Sequence, residues 1–197
     1  EKPREAASLS YLIKFNVELG NVTKAKDYFE SLNLINNEID NEHVKQNHKF
    51  SEALILKESS NSRDRIKAEL LFEQLIEEEA IYPVLVEVLL NLCELLLTDL
   101  KETSNPDSLV KINTYVNKLQ EISTKNKSHF LLIETLGLKA QLALVELDIE
   151  TAKNLLLKAQ TIAQENGLDK SVLDLLKQQE TLTKQSIELK KMDQTKT

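Results

Sequence analysis

The fold that the amino-acid sequence predicts is an all-α superhelical repeat, a solenoid of about four stacked helix pairs with a further helix capping the C-terminal end. Three observations predict it. Glycine and proline are scarce: 197 residues hold three of each, too few for the turns of a sandwich or a barrel. Apolar residues recur at helical spacing in one segment after another, with short polar breaks between them. One combination of side chains also returns: Ala25, Phe29 and Leu32 are echoed by Ala68, Phe72 and Leu75, by Ile112, Val116 and Leu119, and by Ala152, Leu156 and Ala159. The leading residues of these sets stand 43, 44 and 40 positions apart. Such a period belongs to arrays of helix pairs, in which each pair buries against its neighbour a face that it cannot bury alone.

The elements follow in chain order. Residues 4–19 carry Leu9, Leu12, Ile13 and Val17 at helical spacing, and Gly20-Asn21 breaks the run. A helix over 22–37 presents Ala25, Phe29 and Leu32 on one stripe, and so short a turn makes it antiparallel to the first. Helices over 40–58 and 64–80 flank the turn cluster Ser59-Ser60-Asn61-Ser62. Pro83 and Pro106 sit where the helices at 84–102 and 107–124 can begin. The fourth pair, 128–147 and 149–165, folds about Leu147-Asp148 and stops at Asn166-Gly167. A helix over 168–190, with Val172, Leu176 and Leu182 toward the stack, closes the array. The expected organisation is therefore one domain over 1–190 and a polar tail over 191–197.

Composition excludes several kinds of function. A formal net charge of −7 opposes phosphate backbones and anionic bilayers, so neither nucleic acid nor a membrane is the expected partner. With 41% hydrophobic and 29% charged residues the chain has enough apolar surface to fold. The apolar run over 84–100 contains Glu87, Asn91, Glu94 and Asp99, which a hydrocarbon core would penalise, so it reads as a buried helix. Cys93, the single cysteine, lies in that run; no internal disulfide can form, which fits the reducing cytoplasm. The first residue is Glu1 rather than methionine, and a piece of a longer chain is the expectation.

Residues that might suggest chemistry are placed wrongly for it. His43 and His48 lie about 140° apart around a helix, which does not make two ligands on one face, and His129 is remote from both. Cys93 has no histidine nearby in sequence and no adjacent cation to stabilise a thiolate. Gly20, Gly137 and Gly167 are isolated, so no loop cradles a phosphate. Consecutive Glu77, Glu78 and Glu79 point in different directions and read as a solvated helix end. No catalytic residue, cofactor or metal is expected.

The helix over 84–102 is the most informative element. Its polar residues Glu87, Asn91, Glu94, Thr98 and Lys101 are spaced by four, three, four and three, and form one narrow stripe from which only Asp99 departs. A helix with so thin a polar stripe is packed on most of its sides and keeps one free face.

Two stretches carry a family resemblance. Leu19-Gly20-Asn21-Val22-Thr23-Lys24-Ala25-Lys26-Asp27-Tyr28-Phe29 resembles the turn and second helix of a tetratricopeptide repeat. Ala140-Gln141-Leu142-Ala143-Leu144 through Asp148-Ile149-Glu150-Thr151-Ala152 resembles another. The likeness is to the long-helix variant of maltose-activator-type regulators and large archaeal repeat proteins. The period exceeds the usual ~34 residues, the second pair lacks a turn glycine, and the third has neither glycine nor alanine at its anchors, so armadillo and HEAT repeats stay open. The resemblance implies a superhelix whose first helices line a concave groove; the free stripe Glu87, Asn91, Glu94 and Thr98 is expected to face it, and by the family register Lys14, Glu134 and Gln141 face it too. It also implies a non-catalytic scaffold that holds a peptide or a segment of another protein. The alternative is a sensory or regulatory domain of a larger signalling or transcription protein, taking a small ligand or peptide. Aromatic residues at 5% and the absence of tryptophan offer little for the walls of a small-molecule pocket. A self-assembling spacer is the third reading: Tyr11, Phe15 and Leu19 lie off the main stripe of the first helix, where an upstream repeat or a homodimer partner would meet them.

Overall fold

The computed structural model describes residues 1–103, 105–169, 171, 175–177 and 179. Its helices run in the order α1 (Lys2–Glu18), α2 (Val22–Glu38), α3 (Glu42–Lys57), α4 (Ser62–Glu77), α5 (Tyr82–Thr103), α6 (Pro106–Lys125), α7 (His129–Val145) and α8 (Ile149–Glu165), with no strand among the described residues. The chain is all-α, and successive helices pack on their neighbours as in a helical repeat. It divides into two compact units, Glu1–Leu95 and Leu96–Thr197, with the boundary inside α5.

In the first unit α1 packs on α2 and α3 on α4, while α3 also packs on α1 and α2. The repeated side chains drive this pairing. Ala25, Leu32, Ala68, Phe72 and Leu75 are all 0% exposed, the small alanines letting the helices approach and the larger residues filling the space beside them. Phe72 meets the buried Phe50 of α3, ring centroids 6.3 Å apart. Polar residues caught between helices are paired: the Ser51 hydroxyl donates to Ser10 Oγ (3.0 Å), and buried Gln46 accepts from the backbone N–H of Ile81 (3.2 Å).

Phe29 holds the repeat position of Phe72 but is only half-buried, because it lies against His48 of α3 instead of entering the core. The rings are 4.7 Å apart, and His48 Nε2 is 3.1 Å from Asn33 Oδ1. Burial pushes the His48 imidazole below its ordinary value of 6.5, against a smaller upward pull from the Glu52 carboxylate. A group whose folded pKa is depressed contributes stability above its unfolded pKa and loses it as pH falls through the folded value. From pH 7.5 to 5 the wild type should therefore lose more of its urea midpoint than His48→Gln does. Parallel losses in the two proteins would assign the acid sensitivity elsewhere.

The second unit is built the same way. Within it α7 packs on α6 and on α8, and the repeat anchors Ile112, Val116, Leu119, Ala152, Leu156 and Ala159 are no more than 1% exposed. Asp99, the residue that departs from the polar stripe of α5, accepts from the Ser108 hydroxyl in the first turn of α6 (2.7 Å). The helix expected over 168–190 falls largely outside the described residues, as do Val172 and Leu182. Leu176 was expected to face the stack, but it is 40% exposed, and its neighbour Leu175 enters the cluster with Ala159 and Ala163 instead.

Helix ends agree with the expected limits to within about three residues, and the largest difference has a local cause. The expected helix over 64–80 stops at Glu77 because Glu79 adopts φ +50°. Its N–H then bonds to the Ile76 carbonyl, and that of Ala80 to the Leu75 carbonyl. This crossed pair of bonds closes the helix. All three glutamates of the run are exposed, as expected, but Glu78 reaches back to an ion pair with Lys49 and Glu79 has left the helix.

Candidate functional site

The polar stripe of α5 divides at the unit boundary. Glu87, Asn91 and Glu94 belong to the first unit, where the apolar residues around them, Val88, Leu89, Leu92 and Cys93, are buried. Lysines from α1 and α3 reach this stripe. Lys14 Nζ donates to Glu87 Oε1 (2.5 Å) and lies 3.6 Å from Glu18 Oε1. Lys57 Nζ donates to Asn91 Oδ1 (2.7 Å) and to Glu94 Oε2 (2.9 Å), with Glu58 at 3.9 Å. The Asn91 amide also donates to the Glu87 carbonyl one turn back (2.9 Å), which turns its oxygen toward Lys57. Three first helices thus share one polar face.

The ion pairs on this face grade from enclosed to open. The Lys57 side chain is 14% exposed and that of Glu94 60%. Desolvation weakens the hold of Lys14 on its proton, but the hydrogen bond and charge of Glu87, with Glu18 beyond, outweigh it and raise the ammonium above the ordinary lysine range. The cation therefore persists across the physiological range, and the ion pair adds little stability because both side chains still meet water.

Of the seven residues expected to line a groove, Lys14, Glu87, Asn91 and Glu94 are brought together in the first unit. Thr98, Glu134 and Gln141 belong to the second: Thr98 is exposed on α5, while Glu134 and Gln141 are half-buried two turns apart on α7. Lys101 Nζ lies 3.5 Å from Gln141 Oε1. Sequence reasoning missed Lys57, although the signal was present. Lys14, Lys57, Lys101 and Gln141 stand 43, 44 and 40 residues apart, in step with the apolar anchors, so they are the same repeat position on successive first helices.

No family model, curated protein or solved structure matches this chain. Among the described residues no group of three or more His, Cys, Asp and Glu is placed to hold a metal ion, and no described helix is long and apolar enough to cross a membrane. Cys93 is buried, and desolvation, with Glu94 nearby, pushes its thiol up to about 12, which leaves almost no thiolate near neutral pH. Ellman's reagent at pH 8 should accordingly leave Cys93 unmodified in the folded chain and react with it fully in denaturant. Rapid labelling without denaturant would mean that α5 opens readily.

Proposed function

We propose that this chain is a non-catalytic interaction module of the tetratricopeptide type, and that its first unit holds a polar segment of another protein across Lys14, Lys57, Glu87, Asn91 and Glu94. The observation that carries the reading is the repeat-register pair Lys14 and Lys57. The same position on two successive first helices supplies a cation to one shared face, an arrangement that packing alone does not require. Pairs that are partly wet contribute little individually, roughly 0–1 kcal/mol when exposed. A partner with its own charges can therefore replace them at small cost. Both signs of charge are present, so the partner that fits is a segment carrying both acidic and basic side chains, with backbone groups that Asn91 can meet.

Selection of displayed peptides on the wild-type chain, with counter-screening on a Glu94→Lys, Asn91→Ala variant of equal helicity, tests this. Peptides that bind the wild type and lose at least about tenfold in affinity on the variant support the face as the site. Peptides that bind both equally, or no selection at all, set the reading aside.

A further inference from the structure

A second surface, on α1 and meeting the polar face at Glu18, which lies 3.6 Å from Lys14, carries an inference that does not rest on the function proposed above. Tyr11, Phe15 and Leu19 are 65%, 58% and 58% exposed, and Leu12 beside them 40%. Four large apolar side chains within about two turns at the end of α1 exceed the scattered single exposures that a soluble surface normally shows. The positions also have equivalents one repeat later, where Ser8 and Tyr11 correspond to Ser51 and Leu54. Those two residues of α3 are 0% and 2% exposed, and Ser51 is bonded to α1. The part of the open α1 face at Ser8 and Tyr11 is therefore one that α3 uses for packing, whereas Phe15 and Leu19 correspond to the exposed Glu58 and Ser62.

The pattern along that face indicates what covers it. Arg4, Ser8, Tyr11, Phe15 and Glu18 are all exposed and are spaced by four, three, four and three, the heptad spacing of a two-helix seam. The two ends of the seam carry opposite charge. In a parallel pairing Arg4 would face Arg4 and Glu18 would face Glu18. In an antiparallel pairing centred on Tyr11, Arg4 meets Glu18 at both ends, and Phe15 lies over Ser8. The Ser8 hydroxyl is turned back onto the Arg4 carbonyl (3.0 Å), which leaves a shallow site for the larger ring. Leu12 and Leu19 flank the seam, with Leu19 near Pro3 of the other copy. Charge and side-chain size thus select the same register.

We infer that this face is a homodimer interface, in which α1 packs antiparallel on α1 of a second copy about a two-fold axis near Tyr11. Such an axis makes the contact self-complementary and closed, so assembly stops at two. A single helix pair is a small interface, so the dimer is a weak one, half-formed at roughly 50 µM.

Sedimentation equilibrium of the whole chain from about 5 to 500 µM tests it. The wild type should pass from monomer to dimer over that range, and Phe15→Glu should remain monomeric. Arg4→Glu and Glu18→Arg should each weaken association about tenfold, since each places two like-charge pairs in the symmetric dimer. The double variant Arg4→Glu, Glu18→Arg should recover the wild-type constant. All these residues are exposed, so circular dichroism should show each variant as helical as its parent. A wild type that stays monomeric at the highest concentration overturns the inference and leaves a helix of a different chain or repeat as the occupant. A dimer in which the double variant is no better than either single one overturns the antiparallel register.

Discussion

Phe72→Ala should destabilise the first unit by about 4 kcal/mol, whereas Phe29→Ala, at the same position of the preceding helix pair, should cost about 1–2 kcal/mol. Phe72 is 0% exposed and touches Phe50 across the α3–α4 contact, with Ala68 and Leu75 one turn away on either side. Truncation there leaves a void between two helices that are already held together, and a packed interior collapses into such a space only in part. Phe29 already has one side in water and rests on His48, so its loss returns less apolar area to solvent and opens no closed cavity. The measurement is urea unfolding followed by far-UV circular dichroism, with the two variants compared at the same pH. Equal losses would mean that the contact between Phe29 and His48 is worth as much as core burial, and that repeat position rather than burial sets the energetics.

The contrast between these two phenylalanines also shows where sequence reading works and where it stops. Period, pairing and helix limits were legible because they rest on local quantities: the 3.6-residue turn, the scarcity of glycine and proline, and the recurrence of Ala25, Ala68, Ile112 and Ala152. The polar stripe of α5 was legible for the same reason. How deep each anchor sits was not, because Phe29 and Phe72 are identical in sequence terms and differ only in what the next helix places beside them. His48 is the residue that differs, and no local pattern pairs it with Phe29. Lys57 is an intermediate case. Its position follows from stepping one period on from Lys14, but it closes the last turn of α3, where a lysine is expected for helix-end reasons alone. Only its bonds to Asn91 and Glu94 separate the two explanations. The division of the chain inside α5 left no mark in composition, since the apolar run continues across Leu95 and Leu96.

Replacing Lys127 and Leu147 together by glycine should stabilise the second unit by about 1–2 kcal/mol. Three helices of this unit end in the same way, with a residue at positive φ whose N–H bonds to a carbonyl three residues back while the next N–H bonds to one five back. At the end of α8 that residue is Gly167, at φ +65°. At the ends of α6 and α7 it is Lys127, at φ +50°, and Leu147, at φ +62°. A β-carbon in this left-handed region meets the chain's own carbonyl, a strain that glycine avoids, although its greater freedom in the unfolded chain returns part of the gain. Both side chains are exposed, so little packing is lost with them, and the two turns are far enough apart in sequence, with no shared partner, for the effects to add. Leu147→Ala separates the causes. It removes the exposed apolar side chain but keeps the β-carbon, and it should leave stability nearly unchanged. Gly167→Ala runs the comparison in reverse: a β-carbon there would meet no atom within 4 Å, so any loss, about 1 kcal/mol, comes from the backbone alone. If the glycine variants prove no more stable than the wild type while Gly167→Ala is harmless, the crossed hydrogen bonds at these helix ends tolerate a side chain at no cost, and the strain assigned to Leu147 does not exist.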